Sequence, residues 1–208
     1  MSSQLRHYYL QQMGIDTWVK REECKSKKHL VQLAADVSLC VRCPLHHTRT
    51  QTVFARGNPD AKLMIIGEAP GFYEDQQGLP FVGQAGGLLN KMLNSIGLSG
   101  EDVYIANVLK CRPPNDRDPQ PDEISHCSNY LTQQIAIVSP RLILAVGRFA
   151  GQFLLNASFP LNQMRNKIHE YQQIPMLVTY HPAYLLRNPF DKKNAFQDLM
   201  IVKQLLTQ

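Results

Sequence analysis

The sequence predicts an α/β fold in which a central, mostly parallel four-stranded sheet is flanked by helices. Four short apolar runs have the continuous Val, Ile and Leu character that is typical of parallel strands buried on both faces. These runs are residues 62–67, 103–106, 142–146 and 176–180. Helical patterns separate them, and strand–helix alternation of this kind implies a parallel sheet covered on both sides.

The helices follow from apolar periodicity and from the residues that begin and end them. They are predicted over residues 29–39, 84–96, 121–138, 148–155 and 195–206. Gly97 ends the second, because glycine readily adopts the left-handed conformation that follows a helix. Pro121 and two acids open the third, where they suit the first turn and its positive end. Residues 69–83 are predicted to form a long loop, and the prolines of residues 111–121 forbid regular structure there.

At 208 residues the chain has the length of one domain with a substantial core, which we assign to residues 29–208. Residues 1–28 are predicted to form a docking arm and a basic linker, with a short helix at residues 4–13. Trp18 is the only tryptophan and lies on this arm. It either anchors the arm to a partner or folds back onto the domain.

Hydropathy and charge limit the classes of partner. No apolar run approaches the roughly 20 residues that a helix needs to span a bilayer. The polar N-terminal segment also lacks the apolar core of a signal peptide. We therefore expect a cytoplasmic protein with no membrane partner. The formal charge is +5, from 22 Lys and Arg against 17 Asp and Glu, which suits a polyanionic partner without establishing one.

The cysteines are spaced as in a metal site. Disulfides are rare in cytosolic proteins, so the five cysteines predict another role. Cys40 and Cys43 form a C-x2-C pair, Cys111 and Cys127 form a wider pair, and Cys24 stands apart. Four thiolates bind zinc tetrahedrally or hold an iron–sulfur cluster, and the spacing does not separate these two options. The alternative is that all four are ordinary buried cysteines.

Three of the four apolar runs end at a polar residue with catalytic chemistry. Glu68 follows the first run, Asn107 follows the second, and His181 follows the fourth. In open α/β sheets, ligands bind outside the carboxyl ends of the strands. We therefore expect an acid, an amide and an imidazole to converge on one crevice.

The motifs around these residues resemble those of the family 4 uracil-DNA glycosylases. The resemblance covers about residues 29–206, in the order of the family. Its motifs are GEAPG with the following Glu-Asp pair and LPFVG (residues 67–83), VYIAN and KCRPPN (103–115), and HPAYLLRNP (181–189). Ala183 departs from the pattern, because the family often has Ser there. The resemblance implies that Cys40, Cys43, Cys111 and Cys127 hold a 4Fe-4S cluster. It also implies an enzyme that hydrolyses the N-glycosidic bond of deoxyuridine in DNA.

The resemblance implies roles for the residues of the crevice. Cleavage places positive charge on the sugar and negative charge on the departing uracil, after the base has left the stack. Glu68 would orient the attacking water and oppose the sugar's charge, and His181 would bond uracil O2 as charge grows there. Asn107 would donate to uracil O4 and accept from N3–H, a pattern that cytosine reverses. Phe81 would stack on the base, and the Ala69 amide would meet its edge.

Two acids and a later loop complete the expected site. Glu74 and Asp75 would lie at the pocket mouth, where one of them excludes the 5-methyl group of thymine or assists the water. The sequence leaves open which acid has which role. Tyr184, Leu185 and Arg187 would press into the duplex, with Arg187 at a phosphate and leucine in the vacated stack. The alternative is a helix start that packs its leucines inward. Further phosphate candidates are Lys110, Arg112 and Arg117.

A second resemblance concerns the arm. Residues 10–21 (LQQMGIDTWVKR) are similar to the N-terminal peptide of the psi subunit of the bacterial DNA polymerase III clamp loader. This resemblance implies docking on the clamp loader through residues 4–21. It also leaves a competing hypothesis, in which the chain is a psi-like binding subunit that retains a glycosylase fold.

Overall fold

A mixed sheet of six strands forms the centre of the computed structural model, which describes residues 25–207. The strands are β1 (Arg56–Gly57), β2 (Leu63–Gly67), β3 (Val103–Asn107), β4 (Leu142–Val146), β5 (His169–Tyr171) and β6 (Ile174–Thr179). Their order across the sheet is β1-β3-β2-β4-β6-β5. The four inner strands are parallel, while β1 and β5 pair antiparallel at the two edges.

The parallel centre of the predicted sheet is confirmed, whereas the predicted number of four strands is wrong for the described residues. The four inner strands coincide with the four apolar runs to within two residues at either end. The edge strands β1 and β5 are only two and three residues long, and none of their residues is fully buried. No continuous apolar run marks such strands, so the sequence pattern does not reveal them.

Eight α-helices accompany the sheet within the described part of the chain. They are α1 (Lys25–Ser38), α2 (Phe72–Gln77), α3 (Gln84–Asn94), α4 (Pro121–Val138), α5 (Arg148–Leu155), α6 (Leu161–Met164), α7 (Pro182–Arg187) and α8 (Lys192–Thr207). The helix α2 lies inside the predicted loop at residues 69–83. None of the helices between residues 25 and 207 combines the length and apolar character needed to cross a membrane. The predicted arm, with Trp18, lies outside the described residues, and the predicted boundary after residue 28 falls within α1.

Two hydrophobic clusters cover the two faces of the sheet. Met64 and Ile66 of β2 join one cluster, to which α4 and α5 also contribute. Leu63 and Ile65 alternate with them and join the other cluster, with residues of α3 and α8. All four side chains are at most 1% exposed. This burial on both faces explains why the inner strands are continuous apolar runs, and it leaves polar residues to the strand ends.

A third cluster joins α1 to the loop that follows β3. Leu33 and Val37 of α1 pack with Leu109 and with Tyr130 of α4. Four of the five cysteines lie in or against this cluster. The cluster therefore attaches the first described helix to the chain segment that leaves the end of β3.

A buried ion pair fixes α8 to the end of β6. Asp198 is fully buried and receives two hydrogen bonds from Arg165, at 2.8 and 3.0 Å. The Thr179 hydroxyl donates to the same carboxylate at 2.6 Å. Arg165 also lies over the ring of Tyr180, 4.2 Å from its centroid. The residue next to His181 is therefore held by a network of satisfied buried groups.

Candidate active site at the carboxyl ends of the strands

A cleft of about 420 Å³ opens at the carboxyl ends of β2, β3 and β6. Glu68 follows β2, Asn107 is the last residue of β3, and His181 lies just beyond β6. All three side chains line this cleft, as do Ala69 and Phe81. The structure thus brings together an acid, an amide and an imidazole that are separated by as many as 113 residues in the sequence.

Asn107 presents an unused acceptor to the cleft. Its side chain is 2% exposed, and Oδ1 is the one buried side-chain nitrogen or oxygen without a hydrogen-bond partner among the described residues. A buried acceptor that loses water and gains no partner costs about 1–3 kcal/mol. Such an atom in a cleft is suited to a donor from a ligand.

Gly67 provides the space beside this acceptor. A Cβ atom at Gly67 would stand 2.4 Å from Asn107 Oδ1 and 2.7 Å from Phe81 Cζ. Both distances are shorter than any normal contact of a Cβ atom. The amide and the aromatic ring therefore approach the end of β2 as closely as they do only because residue 67 has no side chain.

The Phe81 ring forms one wall of the cleft near His181. The two ring centroids are 5.7 Å apart, with an angle of 33° between the planes. Phe81 adopts a positive φ of 56°, which is uncommon for a residue with a side chain. Gly86, on the first turn of α3, lies against it, since a Cβ atom there would be 1.7 Å from the Phe81 carbonyl oxygen.

Two charged side chains hold the Phe81 loop from different directions. Glu74 Oε1 accepts hydrogen bonds from the amides of Val82 and Gly83, at 2.9 and 3.0 Å. Arg56 donates through Nε to the Pro80 carbonyl at 2.8 Å and through Nη2 to the Phe81 carbonyl at 3.4 Å. Arg56 has no motif signal in the sequence and was missed there, because only the pairing of β1 with β3 brings it to this loop.

His181 is held as a neutral hydrogen-bond donor. Its Nδ1 accepts from the Ala183 amide at 3.2 Å, which assigns the proton of the neutral ring to Nε2. Burial lowers its pKa to about 4, and the positive charge of Arg187 acts in the same direction, against Glu74. An imidazole of this kind donates through Nε2–H at neutral pH without carrying a charge.

Glu68 is an acid whose ionisation is poised near neutral pH. Burial raises its pKa to about 7, Asp118 adds to the increase, and Arg148 opposes it. Its main chain is fixed, because the Leu109 amide donates to the Glu68 carbonyl at 3.0 Å. Carboxyl groups with a pKa near the working pH are common among general bases and charge-stabilising groups of active sites.

The two neighbouring acids of α2 have different surroundings. Glu74 lines the cleft, whereas Asp75 is not among the residues that line it. Asp75 is 2% exposed, and both of its carboxylate oxygens accept from the Thr50 amide at 3.0 Å. Successive residues on a helix point about 100° apart, so adjacent acids face different directions. The catalytic contact predicted for Asp75 does not fit this position, and its carboxylate instead fixes the Thr50 segment.

The predicted DNA-contacting loop forms the helix α7. Leu185 is fully buried in the core, so its predicted contact with DNA is corrected: it packs inward, while Leu186 is 43% exposed. Arg187 lines the cleft and is exposed. Tyr184 is 38% exposed and donates through its hydroxyl to Asp191 Oδ2 at 2.9 Å. An α-helix of this register turns one leucine to the core and the next to solvent.

The other cations considered for phosphate contact are also distinguished. Lys110 is 1% exposed, and its ammonium donates to protein acceptors, so a phosphate contact is excluded by its position. Arg117 lines the cleft and pairs with Glu123. Arg112 lies outside the cleft lining, where it pairs with Asp116 and sits over the Phe72 ring.

The cysteines Cys40, Cys43, Cys111 and Cys127 line a separate, narrow cavity of about 10 Å³. Arg49 donates to the Cys111 sulfur at 3.0 Å, and the Lys110 amide donates to the Cys127 sulfur at 3.2 Å. Burial raises the pKa of Cys127 to about 11. Among the described residues, no group of three or more His, Cys, Asp and Glu side chains is arranged to hold a metal ion.

Known proteins resemble this chain over most of its length. Residues 54–202 match the uracil DNA glycosylase superfamily. The type-4 uracil-DNA glycosylase of Archaeoglobus fulgidus is 44% identical over 168 residues, which are 77% of this chain and 84% of that protein. The type-4 enzyme of Saccharolobus solfataricus is 43% identical over 84% of this chain and 85% of its own length. That of Thermotoga maritima is 42% identical over 78% and 86%, respectively.

Proposed function

The chain belongs to the uracil DNA glycosylase superfamily, and from this premise we propose how its cleft removes uracil from DNA. Its type-4 relatives make it an enzyme, a uracil-DNA glycosylase of DNA repair. The single observation that carries the proposed mechanism is the unpaired acceptor Asn107 Oδ1, which lies in the cleft beside the Phe81 ring.

We propose that Asn107 reads the base. Its Oδ1 accepts from uracil N3–H, and its Nδ2 donates to O4, while the base stacks on Phe81. Cytosine presents an acceptor at N3 and a donor at N4, so it opposes the amide at both positions. The position of Gly67 supports the proposal. Because this residue has no side chain, the space beside Asn107 Oδ1 and the Phe81 ring stays open.

His181 stabilises the leaving group in this proposal. Its Nε2–H donates to uracil O2 as negative charge develops there, and a preorganised donor of this kind strengthens as the transition state forms. The hydrogen bond from the Ala183 amide to Nδ1 supports this role, because it leaves the proton on the other nitrogen.

Glu68 acts on the opposite side of the bond that breaks. Its ionised carboxylate orients the attacking water and opposes the positive charge of the sugar, and the pKa of about 7 supports a base of matched strength. Glu74 holds the loop of the stacking ring through two amides. Arg187 and the exposed Leu186 face the duplex, the first at a phosphate and the second at the vacated stack.

Cleavage of a uracil-containing oligonucleotide tests the proposal. Release of uracil leaves a site that alkali converts to a strand break, so a shorter product is expected with the wild-type protein. A matched oligonucleotide with thymine in place of uracil is the substrate control, and Asn107→Ala is expected to lose most of the cleavage. An intact strand after incubation with correctly folded wild-type protein would reject the function.

We further propose that the four cysteines hold a 4Fe-4S cluster. The donor chemistry fits such a group, since four thiols line one cavity and two of their sulfurs accept hydrogen bonds from Arg49 and from the Lys110 amide. The cluster would supply a covalent crosslink between the segment after α1, the loop after β3, and α4. Its role would be structural, because hydrolysis moves no electrons. A brown protein that loses its iron in Cys40→Ser is expected, and stoichiometric zinc would reject the cluster.

Clamp-loader docking remains a proposal that rests on the psi-like sequence alone. Residues 4–21 lie outside the described residues. Deletion of residues 1–25 should leave uracil cleavage intact and abolish capture by an immobilised clamp loader. Unchanged capture would reject the docking role, while a full-length protein that docks but cleaves no uracil would favour the psi-like binding subunit. Cytoplasmic residence likewise stays a prediction.

A further inference from the structure

Lys110 is a fully buried lysine whose side chain takes no part in the proposed reaction. It is 1% exposed and lies in the loop between Asn107, at the end of β3, and Cys111. An ammonium group is costly to bury unless its hydrogens are bonded. The hydrogen bonds of this lysine therefore indicate what its burial contributes to the structure.

The ammonium is bonded to two neutral acceptors. Nζ donates to the main-chain carbonyl of Asn107 at 2.6 Å and to Gln134 Oε1 at 2.6 Å. Gln134, on α4, is itself fixed, since its Nε2 donates to the Phe54 carbonyl and to the Tyr104 hydroxyl, each at 3.1 Å. The side chain thus clamps the end of β3 against α4.

The main chain of the same lysine contacts the cysteine cavity. Its amide donates to the Cys127 sulfur at 3.2 Å, and its own carbonyl accepts from the Val53 amide at 2.8 Å. One residue therefore touches a cysteine through its backbone and the base-reading residue through its side chain. Hydrogen bonds to charged groups are stronger than those between neutral groups, so the ammonium is a firm support for the Asn107 backbone.

We propose that Lys110 is a positioning residue for base recognition, which couples the four-cysteine site to Asn107. It fixes the Asn107 main chain, and hence the direction in which the buried amide faces the cleft. The inference rests on the proposed reading of uracil by Asn107. It assigns the discrimination of uracil from cytosine partly to a residue that touches neither base.

Three variants separate this role from a general contribution to stability. Lys110→Met removes the ammonium, while Gln134→Leu removes its second acceptor and keeps the bond to Asn107. The double variant also removes Gln134 Oε1, the buried acceptor that Lys110→Met alone would leave without this donor. Each is measured for melting temperature, for iron content, and for binding of DNA that carries a non-cleavable 2′-fluoro-deoxyuridine or the matched deoxycytidine. The side-chain amide signal of Asn107 in a nitrogen–proton correlation spectrum reports its position without catalysis.

We expect Lys110→Met and the double variant to lose about tenfold in the preference for uracil over cytosine. The Asn107 amide signal should move in both, with iron content unchanged. Gln134→Leu should lower the melting temperature but keep the preference. A double variant with wild-type preference and an unmoved amide signal would overturn the proposal. Failure of the wild type to cleave uracil-containing DNA would instead reject the proposed function, and the amide signal would still test whether Lys110 positions Asn107.

Discussion

The rate of uracil excision should follow the ionisation of Glu68 between about pH 6 and about pH 8. Burial raises the pKa of this carboxyl to about 7, and the proposed mechanism requires its charged form. A group with this pKa is ionised in about one molecule in eleven at pH 6 and in about ten in eleven at pH 8. The single-turnover rate should therefore rise about tenfold across this range. His181, with a pKa of about 4, stays neutral throughout and adds no second pH-dependent step to the rate profile.

The stability of the protein should change in the opposite direction. Because the folded-state pKa of Glu68 is raised above its ordinary value of 4.5, the folded state binds the proton more tightly than the unfolded chain. Its contribution therefore makes the protein less stable as pH rises from about 4.5 to about 7. Glu68→Gln should melt at a higher temperature than the wild type at about pH 8, and the difference should vanish near pH 4.5.

Rapid-quench cleavage of an oligonucleotide with one uracil, with enzyme in excess, measures the chemical step. Glu68→Gln should be slow and lose the rise with pH, whereas Glu170→Gln, a change of an exposed acid on the edge strand β5, should keep the wild-type profile. A wild-type rate that is flat across the range would contradict the requirement for an ionised Glu68. The same holds if Glu68→Gln keeps the rise.

Three further substitutions test the cleft and its supports. Gly67→Ala should weaken binding of uracil-containing DNA at least about tenfold in an anisotropy titration, because its Cβ would stand 2.4 Å from Asn107 Oδ1. The matched control is Gly87→Ala, whose Cβ meets nothing within 4 Å. Arg56→Met should raise KM several-fold with little change in kcat, since it frees the loop of the stacking ring. Asp198→Asn should lower the unfolding free energy by about 3 kcal/mol in urea titrations, because it leaves a buried guanidinium without its charge partner.

The inner sheet could be predicted because burial on both faces leaves a continuous apolar signal. The strand β4 has the predicted bounds at Leu142–Val146, and α4 has the predicted bounds at Pro121–Val138. The edge strand β5 could not be predicted in the same way, since His169, Glu170 and Tyr171 are held by pairing with β6 rather than by burial. Strand pairing is a tertiary property that leaves no local pattern in so short a segment.

The residue types of the site were predictable, whereas their directions were not. Glu68, Asn107 and His181 were predicted to converge because each lies at the end of a recognisable strand, and all three line one cleft. Asp75 and Leu185 were misjudged because their motifs specify neighbours in sequence and not the face of a short helix. Only the packing of each helix against the sheet decides which of two adjacent side chains faces the cleft.

The place of β6 in the sheet has a consequence for the newly synthesised chain. This strand follows β4 by 28 residues in sequence, yet it lies beside β4, and it delivers the imidazole of His181. A chain that has left the ribosome only as far as β4 already holds the carboxylate and the amide but has no donor for the departing base. The proposed roles of the three residues therefore predict no excision until β6 and His181 have emerged and β6 has paired with β4.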